Sequence, residues 1–216
     1  MLTSVFHVVR GIEEVIRCVV VLKRTKGDHN GDHHNYVVDL LSRVCAIDRQ
    51  VRDCVIEKIE LLMKSASSDE EDIWCLSLLI QYLCEKNRDM CFKLVKMLVR
   101  LFSLEIESHV KKSEHWEVQS VYSFCILNTI KTVVRFLKNQ LENATEKDNY
   151  STLDRFMTLK SDLAKSFTQL EANQNQQESP SLNFSNHNLC LISYIFQDIL
   201  KHTQDCISLI EERALS

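Results

Sequence analysis

The stretch Asp48-Arg49-Gln50-Val51-Arg52-Asp53-Cys54-Val55-Ile56, DRQVRDCVI, decides how this chain is built. Val51, Val55 and Ile56 recur at the three- and four-residue spacing of one helix face, and Ile59, Leu62 and Met63 carry the stripe onward. Asp48 stands directly before it, where a carboxylate can accept an orphan N–H of the first helical turn. Upstream, Val37, Val38, Leu40, Leu41, Val44 and Cys45 predict another helix from Tyr36 to Ala46. The two helices follow each other almost without a loop, which makes them an antiparallel pair.

The same periodicity extends in both directions. Val5, Val8, Val9, Ile12, Val15, Ile16 and Val19 predict an N-terminal helix within residues 1–26, ended by Gly27 and Gly31. Ser68 with Glu71 forms a capping box, and the acids Asp69-Glu70-Glu71-Asp72 suit the positive end of the helix that follows, to about Cys84. Asn87 and Asp89 interrupt before a fifth helix through Met90, Leu94, Leu98, Leu101 and Ile106. A sixth is predicted from His115 to Leu141, a seventh from Ser151 to Leu170, and a last from His187 to Arg213. Between the last two, residues 171–185 gather Gln, Asn, Ser and the only proline, Pro180, and are read as a flexible linker. The expectation is one all-helical domain over 1–216 with about eight antiparallel helices: an N-terminal helix (1–26), a stack (36–141) and a C-terminal hairpin (150–216).

Composition points the same way. Three glycines and one proline in 216 residues leave little material for sheets and tight turns, so the fold class is all-α. A net charge of -4 gives no whole-chain attraction to phosphates, which argues against direct nucleic-acid binding. No apolar run approaches the roughly 20 residues needed to cross a bilayer, so no membrane partner is expected. Nine cysteines, an odd number without short-spaced pairs, fall mostly among Leu, Ile and Val. They read as small core residues in a reducing compartment, nucleus or cytoplasm. The triplets at Asn143, Asn149 and Asn183 match the glycosylation pattern at a rate expected by chance.

Chemistry is hard to find. Lys26-Gly27-Asp28-His29-Asn30-Gly31-Asp32-His33-His34-Asn35 holds three of the eight histidines, and His29, Asp32 and His33, with Asp28, could ligate a metal ion. The plainer reading is a solvated turn, because Gly31 prevents a regular H-x3-H face and no C-x2-C follows. Cys75, Cys84 and Cys91 could pair with His109 or His115 as nucleophile and base, yet all three cysteines lie in apolar stripes where burial makes thiols inert. Lys111-Lys112 is too short for a phosphate patch. No phosphate-binding, dinucleotide-binding, nucleophile-elbow or zincin motif is present, so neither an enzyme nor a cofactor is expected. Trp74 and Trp116 read as core or interface anchors, and Trp116, Phe92 and Phe156 are the candidate partner-binding residues.

The D-x-x-V-R-x-x-V spacing from Asp48 to Val55 resembles the start of the second helix of HEAT repeats, where Asp and Arg tie neighbouring repeats together. That resemblance implies an open α-solenoid of stacked helix pairs; the alternative is a compact helical bundle. In addition, Leu94-Val95-Lys96-Met97-Leu98-Val99-Arg100-Leu101-Phe102 and the run from Phe124 to Leu137, over a span of residues 36–141, resemble the helical repeats of the Fanconi anaemia group I family. Such a family implies a large solenoid that pairs with a paralogous partner as a DNA clamp in crosslink repair. This chain is far shorter and lacks both the family's acidic tail motif and a basic face, so no functional residue carries over. The expectation is a non-catalytic helical-repeat scaffold or subunit that binds protein partners in a larger assembly, with DNA repair as the resemblance implies. A metal-binding helical protein using residues 27–34 is the alternative.

Overall fold

The computed structural model describes residues 11–12, 14–16, 31–65, 70–112, 116–143, 150–176 and 183–215. Among them the chain is all helical, and only Asp48 and Asn87 stand outside a helix. Residues 11–12 and 14–16 are helical, followed by α1 (Gly31–Ile47), α2 (Arg49–Ser65), α3 (Glu70–Lys86), α4 (Arg88–Lys112), α5 (Trp116–Asn143), α6 (Tyr150–Gln176) and α7 (Asn183–Leu215).

Both non-helical residues are caps. Asp48 Oδ1 accepts from the N–H of Gln50 at 2.7 Å and of Val51 at 3.2 Å, which satisfies orphan donors of α2. Its own N–H still donates to the Val44 carbonyl at 2.9 Å, so one residue closes α1 and opens α2. Asn87 does the same between α3 and α4: its N–H donates to Leu83 O at 3.0 Å, and its Oδ1 accepts from Met90 at 3.3 Å. The capping box expected at Ser68 lies outside the described residues.

Two expected boundaries are corrected. α1 begins at Gly31, five residues before Tyr36, because a glycine in the first turn costs a helix little where its N–H has no intrahelical partner anyway. The linker over 171–185 shrinks, since α6 continues to Gln176 and α7 already starts at Asn183. Polarity alone does not end a helix there: Glu, Ala and Gln are good helix formers and can extend one without an apolar stripe.

The chain divides into two compact units, Met1–Leu94 and Val95–Ser216, with the boundary inside α4. Thus α5 belongs with α6 and α7, whereas the sequence reading grouped it with the helices before it. In the first unit α1, α2 and α3 all touch one another. They bury Val38, Leu41 and Cys45 from α1, Val55, Ile59 and Met63 from α2, and Ile73, Leu76, Ile80 and Leu83 from α3. In the second unit α7 packs most extensively on α5 and also on α6. Phe196 of α7 lies at its aromatic centre, 5.4 Å from the ring of Phe102 on α4 and 5.4 Å from that of Phe167 on α6.

The hydrogen bonds across α7 fix its directions. Arg135 meets His202 and Lys138 meets Asp205, both 67 residues apart, so α5 and α7 run the same way. Lys160 meets Gln204 while Phe167 meets Phe196, so α6 runs opposite to α7. No helix among the described residues is long and apolar enough to cross a membrane.

Candidate functional site

α1 carries two apolar faces. Val38, Leu41 and Cys45 point into the first unit, with Ser42 buried beside them. Tyr36, Leu40, Val44 and Ile47, spaced four, four and three residues apart, form the opposite row and are 69%, 50%, 38% and 88% exposed. The sequence reading assigned Val38, Leu40, Leu41 and Val44 to one buried stripe. The two sets are separable on a helical wheel, because a 100° step turns Leu40 about 160° away from Val38.

Arg43, on the same helix, pairs with Asp39 at 2.8 Å and borders the exposed row. Among the described residues of this unit, Leu61 of α2 and Trp74 of α3 are the other large apolar side chains that face water. The four side chains of the row leave apolar area at helical spacing open to water, bordered by the Arg43–Asp39 pair.

Two polar seams hold helices in register. At the start of α2, Arg52 lies 3.7 Å from Asp89 of α4, while Asp53 pairs with Lys93 of α4 and stands 3.9 Å from Arg49. Lys93's hydrogen bond holds the Asp53 carboxyl below its ordinary range. Arg52 Nε is buried without a hydrogen-bond partner, so the residue's charge is anchored only through the far end of its guanidinium.

The second seam runs along α5 and α7. Asp198 accepts from Lys131 at 2.7 Å and from Arg135 Nη2 at 3.2 Å, and Lys138 donates to Asp205 at 2.7 Å. His202 sits between these pairs and accepts from Arg135 Nε at 3.1 Å through its Nε2. Lys131's hydrogen bond keeps the Asp198 carboxyl low, and Asp205 raises the Lys138 ammonium above its usual value. Every charge in this seam already has an opposite partner, so it serves register and offers no free binding group.

The residues singled out from the sequence fall apart in space. Phe156 is fully buried in the second unit, so as a surface anchor it is replaced by a packing role: its position in the α6 stripe points inward. Phe92 is half-buried on α4. Trp116 opens α5, and its side chain lies outside the described residues, as does His29. Asp32 and His33 belong to the first turn of α1 by their backbone. Among the described residues, no group of three or more His, Cys, Asp or Glu is placed to hold a metal ion.

Cys84 and Cys91 are buried at the α3–α4 corner, where Cys91 Sγ donates to the Cys84 carbonyl at 3.0 Å. Burial first, and then Cys91, pushes the Cys84 thiol far up, which makes it a poor nucleophile at neutral pH. Cys75 is buried as well.

The exposed row on α1 escaped the sequence reading. Its signal was present as a surplus: α1 carries more apolar positions than one face can hold. Comparison of the chain with family models, with curated proteins and with solved structures found no match.

Proposed function

We propose that this chain is a non-catalytic helical-repeat subunit that acts by binding another protein within a larger nuclear or cytosolic assembly. The observation that carries the reading is the second apolar face of α1, where Tyr36, Leu40, Val44 and Ile47 stand in water although their neighbours Val38 and Leu41 are fully packed. A partner helix or extended segment laid along this row would desolvate four large side chains at helical spacing, and such anchors concentrate binding energy. The stacked-repeat form of the fold is part of the proposal: the parallel run of α5 and α7, with α6 reversed between them, is what successive helix pairs of a solenoid would produce. A role in DNA repair follows only from the family resemblance and belongs to the same proposal.

The test is affinity capture of the full-length protein and of Leu40→Glu and Val44→Glu variants from cells, with quantitative mass spectrometry. A partner retained by wild type and lost by both variants, with circular dichroism unchanged, supports the reading. Identical partners in all three, or a catalytic turnover abolished by one polar substitution, overturns it.

A further inference from the structure

The α5–α7 seam contains one group whose protonation state its geometry dictates. His202 Nε2 accepts the Nε–H of Arg135 at 3.1 Å, and an imidazole nitrogen can accept only while it carries no proton. The ring is therefore neutral in this arrangement, with its proton on Nδ1. That nitrogen is buried without a hydrogen-bond partner, 3.8 Å from Asp205 Oδ2. On the Nε2 side the next acceptor is Asp198 Oδ1 at 3.5 Å.

We infer that His202 is a proton-sensitive latch on this seam: neutral, it holds Arg135 against α7; protonated, it takes Asp198 and releases Arg135 to solvent. A proton added at Nε2 would set two N–H donors head to head across the Arg135–His202 contact, and the repulsion of two cations at that separation removes the hydrogen bond. Asp198 Oδ1, 3.5 Å away, is then the carboxylate oxygen that Nε2–H can take, on the same carboxylate whose Oδ2 Arg135 reaches through Nη2. Lys131 keeps its own bond to Asp198, and Lys138 keeps Asp205, so the helices stay in register while Arg135, already half exposed, swings out.

The charges around the ring set the working range. From α5 it faces Arg135 and Lys138, and along α7 it faces Asp198 and Asp205; from α6, Lys160 reaches α7 at the neighbouring Gln204. Burial lowers the ring's affinity for a proton below the ordinary value of 6.5, Asp198 opposes this, and Arg135 and Lys138 add to it. The latch therefore stays closed at neutral pH and opens in mildly acidic solution.

NMR on the full-length protein tests this, following the His202 ring carbons and the Arg135 Nε–H from about pH 7.5 down to about pH 5. The ring should titrate below 6.5, and in step with it the Arg135 proton should lose protection several-fold, against the base-catalysed trend that slows free guanidinium exchange on acidification. In His202→Gln, whose side-chain oxygen can accept the same donor but cannot titrate, Arg135 should stay protected throughout. A ring that titrates at or above 6.5 overturns the inference, as does Arg135 protection that ignores His202 or falls equally in the glutamine variant. Should that variant not fold, the wild-type ring and guanidinium titrations decide alone.

Discussion

Arg135 donates its Nε–H to Nε2 of His202 at 3.1 Å, although the two residues stand 67 positions apart and on different helices. Lys138 and Asp205 keep the same offset at 2.7 Å, and Lys131 and Asp198 continue it. One register thus governs two parallel helices, with Asp198 shared by Lys131 and Arg135 and Asp205 held by Lys138. Because the pairs are partly solvated, each contributes modestly to stability, and their larger effect is to disfavour a one-turn slip that would separate these charges from their partners.

The acid limb of stability should run through Asp198. Its folded pKa is held below the ordinary 3.8 by Lys131, so the stabilisation is complete above that value and is lost as pH falls through the folded pKa. Asp198→Asn should lower the melting temperature at pH 7, and the gap to wild type should narrow as the pH is taken progressively below 3.8. Thermal unfolding at a series of pH values measures it; a gap that does not change with pH would assign the loss to packing instead.

Phe196 joins three helices of the second unit through Phe102 and Phe167. Phe196→Ala should cost about 3–5 kcal/mol, the range for deleting a buried aromatic ring. A double-mutant cycle with Phe102→Leu should return a coupling of about 0.5–1.5 kcal/mol, read from denaturant unfolding.

Asp48 caps α2 with two backbone hydrogen bonds at an exposed corner. Asp48→Ala should cost about 1 kcal/mol, and Asp48→Asn or Asp48→Ser much less, because either can still accept the N–H. Hydrogen exchange should locate the loss in the first turn of α2.

The two faces of α1 separate neighbouring leucines. Leu41 is 6% exposed and Leu40 50%, so Leu41→Ala should destabilise by about 2–5 kcal/mol while Leu40→Ala stays within about 0.5 kcal/mol. Equal losses would mean that the row at Leu40 is covered.

The cysteines should divide by reactivity. Burial pushes Cys45 up to about 11 and Cys206 up to about 12, whereas Cys190 is exposed. A thiol reagent at neutral pH, with the labelled peptides identified by mass spectrometry, should modify Cys190 in the native protein and reach Cys45 and Cys206 only after unfolding.

Fold class, the Asp48 cap and the break at Asn87 were legible in the sequence, because each depends on residues within one or two turns of one another; that Asn87 caps α4 was not. Periodicity marks apolar positions, and a carboxylate or amide before a stripe marks a cap. The start of α1 at Gly31 and the extension of α6 to Gln176 were missed for a local reason: residues 31–35 and 171–176 carry no apolar stripe in the sequence. Other features lay beyond any local signal. Phe92 and Phe156 are both candidate anchors by sequence, yet Phe156 is fully buried and Phe92 only half-buried. Likewise nothing near Arg135 announces His202. Which apolar face of α1 is covered, which phenylalanine is inside, and which cation meets which acid all follow from how the helices pack. Packing energy depends on side-chain shape summed across elements distant in the chain, and a periodic pattern specifies that a face must be covered without specifying by what.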